Sequence, residues 1–301
     1  MRIAFVGKGG SGKTTLSSLF IRHLAAASAP VLAIDADINQ HLGTALGLDE
    51  RTAAGIPPLS RFTRAIKDYL RGDNPRIPSA AEMVKTTPPG TGSRLLRFGS
   101  PSPLDDWCTY DFSAADAAAD ENATVDLAGV RLMVTGVFDE SDLGVACYHS
   151  KVGAAELYLN HLIDGPGEYV VMDMTAGADA FASGLFTRFD ATLLVVEPTR
   201  KSLSVYHQYR EYADEYGIVV HAVGNKITEP GDLAFLRGEL GDALIGGLTF
   251  SRAVRAQERA SGSRWSSWSP RTGRFWRTFS GASTRYRRIG RGTPSSRITS
   301  T

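Results

Sequence analysis

Residues 7–14 read GKGGSGKT and fit the pattern G-x-x-x-x-G-K-[ST]. Closely spaced glycines let several backbone N–H groups face one anion, which suits such a loop to a phosphate group. In loops of this type the lysine, here Lys13, meets the β- and γ-phosphates, and the hydroxyl of Thr14 ligates Mg²⁺. We therefore expect a nucleoside triphosphate and Mg²⁺ to bind here. The residues expected at the phosphates are Gly9, Gly10, Ser11, Gly12, Lys13, Thr14 and Thr15.

Three acidic residues follow apolar runs that are typical of buried strands. Asp35 and Asp37 come after VLAI, and Asp173 comes after YVVM. Ligands of parallel sheets bind at the carboxyl ends of the strands, so these carboxylates are placed near the bound phosphates and metal. Asp173 is suited to hold Mg²⁺ through a water molecule, and Gly177 can move its N–H group toward a γ-phosphate. The alternative for Asp35 and Asp37 is a solvated cap at the end of a strand.

The elements that must position these residues are strands alternating with helices. An apolar run at 3–7, apolar residues at helical spacing over 16–24, and a second run at 31–35 form a strand–helix–strand unit. After residue 129 we expect strands at 130–137, 169–173, 191–198 and 218–227, and helices at 151–163 and 201–216. These runs are apolar on both faces, as in strands covered by helices. The sequence predicts a doubly wound α/β fold with a mostly parallel sheet flanked by helices.

We expect one domain over residues 1–260. Residues 50–128 hold eight of the fourteen prolines and show little periodicity, so they are interpreted as an insertion or lid with a helix around 60–71. Two cysteines are too few for a disulfide framework and fit a reducing compartment. Apolar runs also stay short of the roughly 18 residues of a membrane span. We expect a cytoplasmic protein that does not bind a membrane.

The charge distribution separates the end of the chain from the rest. Residues 260–301 contain nine Arg, no Lys and no acid, which leaves 24 basic against 32 acidic residues upstream. An acidic body argues against a nucleic-acid surface on the main domain. The basic tail, residues 261–301, is either a disordered arm that holds nucleic acid through Arg and Trp, or the product of a shifted reading frame. We favour the shifted frame because the tail has no helical apolar stripe.

The string KGGSGKTT, residues 8–15, resembles the variant phosphate loop KGGxGKT of the MinD/ParA group of dimeric ATPases. In that group the early lysine reaches across a homodimer to the partner's nucleotide. The resemblance implies that Lys8 neutralises charge that develops there during phosphoryl transfer, together with Lys13 of the bound subunit. It also implies that Asp37 orients the attacking water and that Asp35 lies nearer the Mg²⁺. The alternative for Lys8 is a surface lysine beside the loop.

The same resemblance covers two further motifs. DMTAG, residues 173–177, matches the DxxxG second switch of the group. Asn225 and Lys226, at the end of the last apolar run, stand where the group places an asparagine that reads the Watson–Crick edge of adenine. The Asn225 amide can both donate and accept, as adenine requires, although a turn asparagine is the alternative. A guanine-specific N/TKxD motif is not present, which favours ATP over GTP.

A narrower resemblance leads to the nickel-insertion ATPases of carbon monoxide dehydrogenase maturation. It rests on DMTAGADAF (173–181), VVEPTRKS (195–202) and GVACYHS (144–150). Those ATPases carry a CxC pair that binds a metal at the dimer interface, whereas this chain has Cys147 and His149 at that spacing. Two chains would offer a Cys₂His₂ set for Zn²⁺ or Ni²⁺; a buried Cys and a His at a helix start are the alternative.

These resemblances imply an ATP-dependent homodimer that acts as a slow hydrolytic switch in metalloenzyme maturation, with an unidentified protein client. A MinD/ParA-type positioning role is disfavoured because no amphipathic membrane helix closes the chain. A non-hydrolysing adaptor that senses ATP is the third alternative.

Overall fold

The computed structural model describes residues 1–100, 102–112, 127–137, 148–175 and 184–252, all within the unit Met1–Ser267. The strands described are β1 (Arg2–Gly7), β2 (Val31–Ala36), β3 (Leu96–Arg97), β4 (Tyr110–Asp111), β5 (Val130–Val134), β6 (Leu162–Ile163), β7 (Tyr169–Met174), β8 (Ala191–Val196), β9 (Val220–Ile227) and β10 (Leu244–Thr249). The α-helices described are α1 (Lys13–Ala26), α2 (Leu42–Ala45), α3 (Glu50–Gly55), α4 (Thr63–Arg71), α5 (Pro103–Cys108), α6 (Tyr148–His161), α7 (Arg200–Glu215) and α8 (Pro230–Leu240).

Eight strands form one sheet in the order β10-β9-β8-β1-β7-β2-β5-β4. Every neighbouring pair is parallel except β4 with β5, which is antiparallel. Strands β3 and β6 form a separate parallel pair. From β1 the chain continues to one side through β2, and it later returns to the other side through β8. The predicted doubly wound, mostly parallel fold is thus confirmed, and the carboxyl end of β1 lies where the strand order reverses, the usual place for a ligand.

Side chains of the central strands alternate between two helical layers. Phe5 on β1 packs against Phe20 of α1, with ring centroids 5.9 Å apart. Its neighbours Ala4 and Val6 belong to the cluster on the opposite face, which includes residues of α6 and α7. Because both faces are covered, the central strands are buried along their length, and this explains the continuous apolar runs in the sequence.

The strands predicted after residue 129 all occur, but β5 and β8 end earlier than predicted and β9 begins later, at Val220. The predicted helices correspond to α4, α6 and α7, except that the last two residues of the helix predicted at 151–163 form strand β6 instead. Strand β10 was not predicted, because Gly246 and Gly247 interrupt its apolar pattern. The structure gives a packing reason for one of these glycines: a Cβ at Gly247 would lie 2.3 Å from Cδ1 of Ile227 on β9. Gly247 therefore lets β10 approach β9 closely.

The described part of the insertion shares the core of the main sheet. Helices α4 and α5 bury Ile66, Leu70 and Leu104 in the same cluster as strands β1 and β2. Cys108, at the end of α5, is fully buried and donates from Sγ to the carbonyl of Leu104. Burial raises the pKa of Cys108 to about 12, so this thiol is a core residue rather than a reactive one. Within the described residues, helices long and apolar enough to cross a membrane are absent.

Candidate functional site

The phosphate loop joins β1 to α1, and its last glycine begins the helix. Gly12 is the N-cap of α1 with φ +94°, a left-handed conformation that favours glycine. The loop closes with a hydrogen bond from the backbone N–H of Ser11 to the carbonyl of Lys8, at 3.1 Å. Side chains do not cap the first turn of α1, and that turn has no acidic residue. The backbone N–H groups that begin α1 and the positive end of the helix dipole therefore suit an anion.

Lys13 and Asp37 face each other across the mouth of this loop. Lys13, the first residue of α1, is 6% exposed, and its Nζ lies 4.0 Å from Oδ2 of Asp37. The other carboxylate oxygen of Asp37 accepts from the backbone N–H and from Nδ2 of Asn39, both at 3.0 Å. Asn39 thus fixes the Asp37 carboxylate while Oδ2 points toward the lysine. This geometry places one cation and one hydrogen-bond acceptor beside the helix N-terminus.

Thr14 and Asp173 connect the phosphate loop to the neighbouring strand β7. The Thr14 hydroxyl donates to Oδ2 of Asp173 at 2.5 Å. Asp173 is fully buried, and its other oxygen, Oδ1, has no hydrogen-bond partner among the described residues. Burial, followed by the nearby charge of Asp35, raises the pKa of Asp173 well above its ordinary value. A hydroxyl and an unsatisfied buried carboxylate next to a phosphate loop are the donor set that Mg²⁺ prefers.

Asp35 organises the chain that follows β2. It is fully buried; Oδ1 accepts from the backbone N–H of Asp37 at 3.1 Å, and Oδ2 accepts from that of Leu42 at 2.8 Å. Burial is the main cause that raises the pKa of Asp35 to about 7, against the lowering effect of these two hydrogen bonds. Both oxygens therefore have backbone partners, and these contacts give Asp35 a part in shaping the loop that carries Asp37.

Asn225 and Lys226, at the carboxyl end of β9, reach the phosphate loop from the other side. Nδ2 of Asn225 donates to the carbonyl of Ser11 at 2.8 Å. Nζ of Lys226 donates to the carbonyl of Gly10 at 2.6 Å, and the Lys226 backbone has φ +56°. A Cβ at Gly12 would lie 2.2 Å from Nδ2 of Asn225, so the close approach of β9 requires glycine there. Two side chains thus tie the end of β9 to the loop.

Glu197 is a residue of this site that the sequence reasoning did not single out. It follows β8 directly, and its carboxylate lies 2.6 Å from Nζ of Lys226 and 3.8 Å from Nζ of Lys8. The rule that selected Asp35 and Asp173, an acid directly after a buried strand, applies equally to Glu197 and was the available signal.

The structure thus brings together the loop residues 8–14 with Asp35, Asp37, Asp173 and Asn225. Gly177 and Cys147 lie outside the described residues, and of His149 only the backbone, in α6, is described. Within the described ranges, groups of three or more His, Cys, Asp or Glu residues arranged to hold a metal ion are absent.

Comparisons with known proteins agree with this geometry. The carbon monoxide dehydrogenase accessory protein CooC of Rhodospirillum rubrum is 28% identical over 264 residues, which cover 86% of this chain and 88% of that protein. Among solved structures, a ParA family ATPase from Chlorobium tepidum TLS has a TM-score of 0.58 and 14% identity, with 94% of this chain and 97% of that chain covered.

The septum site-determining protein MinD of Pyrococcus horikoshii OT3, solved with Mg-ADP, has a TM-score of 0.54 and 16% identity and covers 93% of this chain and 95% of its own. At these identities the two solved structures show the fold alone. A family profile described as CobQ/CobB/MinD/ParA nucleotide binding domain matches residues 3–228, from the second residue of β1 to the residue after β9. The chain therefore belongs to the CobQ/CobB/MinD/ParA family of nucleotide-binding domains.

Proposed function

We propose that this protein binds ATP with Mg²⁺ and hydrolyses it slowly as a homodimeric switch. The observation that supports this most directly is the contact between the Thr14 hydroxyl and the buried Asp173 carboxylate at the open N-terminus of α1. Family membership supports an ATPase, and the MinD relative was solved with Mg-ADP. The proposal gives each of the residues around the loop a separate task.

Thr14 and Asp173 would hold Mg²⁺, Thr14 directly and Asp173 through a water molecule. Bound there, Mg²⁺ would neutralise charge on the β- and γ-phosphates. Asp35 lies in the adjacent strand and would keep the local field negative without contributing a free oxygen, since both of its oxygens accept from backbone N–H groups. The fit rests on the unsatisfied Oδ1 of Asp173.

Lys13 would bind the β- and γ-phosphates, and Asp37 would orient the attacking water through Oδ2. The backbone N–H groups of the loop, with Thr15 and the N–H of Gly177, would complete the phosphate contacts. At 4.0 Å the Lys13 and Asp37 side chains are at ion-pair distance, so they would move apart to admit a phosphate oxygen and a water molecule between them.

Asn225 would read the base with its acceptor. Its Nδ2 already donates to the carbonyl of Ser11, while Oδ1 accepts none of the described hydrogen bonds. A carbonyl-type acceptor pairs with the 6-amino group of adenine and repels the 6-keto oxygen of guanine. Binding of ATP should therefore be stronger than binding of GTP, and replacing Asn225 by Asp, which keeps an acceptor but removes the donor to Ser11, should weaken both.

The central experiment compares ATP binding with phosphate release. Lys13→Ala should abolish ATP binding, whereas Asp37→Ala should retain binding and lose turnover. Lys201→Ala and Asp242→Ala, at exposed positions of α7 and the turn after α8, are the matched controls and should behave as the unaltered protein. Ordinary turnover by Asp37→Ala would remove its assigned role. Binding without any phosphate release by the unaltered protein would favour an ATP-sensing adaptor instead.

Mixing two inactive variants tests whether Lys8 acts on the partner's nucleotide. Lys8→Ala and Asp37→Ala should each lack turnover alone. In a mixed dimer, the subunit with Lys8→Ala keeps its own Asp37 and receives Lys8 from its partner, so one complete site forms. We expect part of the activity to return on mixing in the presence of ATP. If Lys8 acts within its own subunit, no activity returns.

A role in metalloenzyme maturation is supported by the similarity to CooC of R. rubrum. We propose that Cys147 and His149 of two subunits hold Zn²⁺ or Ni²⁺ at the dimer interface, as a Cys₂His₂ set. Metal analysis of the dimer, formed with a non-hydrolysable ATP analogue, should give about one ion per dimer for a shared site of this kind. Cys147→Ser and His149→Ala should lose it, and Cys108→Ala, at a buried thiol, should keep it. An unaltered metal content in the first two variants would end this assignment.

A further inference from the structure

The carboxylate of Glu197 contacts two lysines beside the phosphate loop, Lys8 and Lys226. Its Oε1 lies 2.6 Å from Nζ of Lys226, and its Oε2 lies 3.8 Å from Nζ of Lys8. Lys226 donates at the same time to the carbonyl of Gly10, at 2.6 Å. Glu197 therefore connects the end of β8 with the end of β9 and with both ends of the loop segment 8–10.

Glu197 is the most buried member of this group, and the two lysines are more exposed. The Glu197 side chain is 14% exposed, against 31% for Lys8 and 47% for Lys226. Its backbone N–H donates to the hydroxyl of Ser202 on the first turn of α7 at 2.9 Å, which holds the residue at the carboxyl edge of the sheet. A carboxylate of low exposure with two adjacent ammonium groups will keep at least one of them.

The two contacts differ in strength. The Lys226 contact is a short, charge-assisted hydrogen bond, and the same ammonium group also donates to the Gly10 carbonyl. The Lys8 contact, at 3.8 Å, is a partly exposed ion pair without a hydrogen bond among those described. Such a pair changes an equilibrium constant by at most about fivefold, so several phosphate charges can displace it.

We propose that Glu197 is a positioning residue with two effects: it fixes Lys226 on the phosphate loop, and it holds Lys8 on its own subunit until ATP binds. The second effect rests on the proposed function, in which Lys8 acts on the partner's nucleotide. When ATP is absent, Lys8 is neutralised in its own subunit and is withheld from a partner. When ATP is present in a partner site, its phosphates attract Lys8 more strongly than Oε2 of Glu197 does. Lys226 remains hydrogen-bonded to Oε1.

The Lys226 effect is tested on nucleotide binding at protein concentrations too low for dimers. Glu197→Gln should raise the dissociation constant of a fluorescent ATP analogue about fivefold or more, because a charge-assisted bond is lost. In a Lys226→Met background the same substitution should have no further effect. The control is Glu211→Gln, at an exposed position of α7, which should change nothing. An equal loss in both backgrounds would show that Glu197 does not act through Lys226 and would overturn this half of the proposal.

The Lys8 effect is tested without nucleotide and without dimers, by the rate at which an amine-reactive reagent labels Lys8, read by mass spectrometry. In Glu197→Gln the labelling rate of Lys8 should rise, and that of Lys201 should stay the same. With saturating non-hydrolysable ATP analogue, the same variant should dimerise about two- to fivefold more tightly. Unchanged labelling and an unchanged dimer constant would overturn the assignment.

The nucleotide-binding and labelling experiments distinguish failure of this proposal from failure of the proposed function. If the unaltered protein binds ATP but never dimerises, the dimeric switch fails, while the labelling rate and the ATP affinity still decide the role of Glu197. A fall in thermal stability of Glu197→Gln without either change would assign it a purely structural role and overturn the proposal.

Discussion

Asp35 on β2 and Asp173 on β7 are register partners in adjacent parallel strands, and both side chains are fully buried. Burial raises the pKa of each carboxyl group, and the charge of Asp35 raises the pKa of Asp173 further. Because burial disfavours the charged form of both carboxyl groups, binding of Mg²⁺ here would be coupled to the loss of protons. The neighbouring Lys13 lowers the pKa of Asp173 only in part, since burial and Asp35 act more strongly.

The first prediction concerns the pH dependence of stability. Between the ordinary value of 3.8 and about 7, folded Asp35 binds a proton that unfolded Asp35 releases, so its contribution to the free energy of unfolding falls as pH rises through this window. Asp35→Asn should make the decline shallower by up to about 1.4 kcal/mol per pH unit. Urea unfolding at a series of pH values, without nucleotide, measures this slope.

The comparison with the unaltered protein cancels an opposing effect. Burial lowers the pKa of His161 and of His221, so these two groups favour the folded state as pH rises through their window below 6.5. They are present in both proteins and do not enter the difference. Equal slopes for the two proteins would contradict the raised pKa of Asp35. A variant at an exposed acid, Asp242→Asn, should keep the original slope.

The second prediction concerns the close approach of Asn225 to Gly12. Gly10 and Gly12 both have positive φ, so alanine at either costs about 1 kcal/mol or more for the backbone alone. Only Gly12 also has a neighbour in the way, Nδ2 of Asn225 at 2.2 Å from the added Cβ, whereas Gly10 has open space. Gly12→Ala should therefore lose about 1 kcal/mol more than Gly10→Ala, since the hydrogen bond to Ser11 is displaced.

Thermal or urea unfolding measures the stability of the two glycine variants. Nucleotide is left out so that phosphate contacts do not contribute to the difference. A Gly12→Ala, Asn225→Ala double variant should recover much of the difference, since the clash is removed. If the two single variants are equally stable, the contact between β9 and the loop does not constrain the loop.

The fold could be predicted to a large extent because the central strands are covered on both faces. Continuous apolar runs therefore appear in the sequence at β1, β2, β7, β8 and β9. Strand β10 and the shortest strands could not be predicted from such apolar runs. Gly247 of β10 is required by the contact with Ile227, and the two-residue strands β3, β4 and β6 are too short for a periodic pattern.

The individual acids of the site could be selected from the sequence, but their mutual contacts could not. Asp35 and Asp173 are 138 positions apart, and only the strand order makes them neighbours. The same holds for Glu197, whose partners Lys8 and Lys226 come from opposite ends of the matched region. Parallel strand order depends on long-range packing, which a local pattern does not encode.

The third prediction concerns the hydroxyl of Thr14. Thr14→Val keeps the shape of the side chain but leaves Oδ2 of Asp173 without its donor in a buried position. The expected loss is about 1–3 kcal/mol of unfolding free energy, together with loss of the Mg²⁺ dependence of ATP binding. Thr187→Val is the control: Thr187 is exposed, its hydroxyl donates to the carbonyl of Gly184, and its loss should cost less than about 0.5 kcal/mol.

Titration of ATP with and without Mg²⁺ reads the functional part of this prediction. If Thr14→Val binds ATP with an unchanged response to Mg²⁺, the metal is not held at Thr14. If the stability of the two variants is equal, the Thr14–Asp173 contact does not contribute to the fold.

The last prediction concerns the tail, residues 261–301, which lies outside the described residues. Strand β10 ends the sheet order, and its residues Leu244 through Leu248 are half-buried rather than buried. We propose that the chain after residue 260 is read in a shifted frame, and that the other frame encodes an acidic, amphipathic segment that covers this edge.

A frame-restored protein should unfold at a temperature at least about 2 °C higher, because each kcal/mol gained shifts the midpoint by about 2–4 °C in a domain of this size. The matched control ends after residue 260 and should be as stable as the full chain. A stop codon early in the other frame, or equal midpoints for all three proteins, would refute the shifted frame.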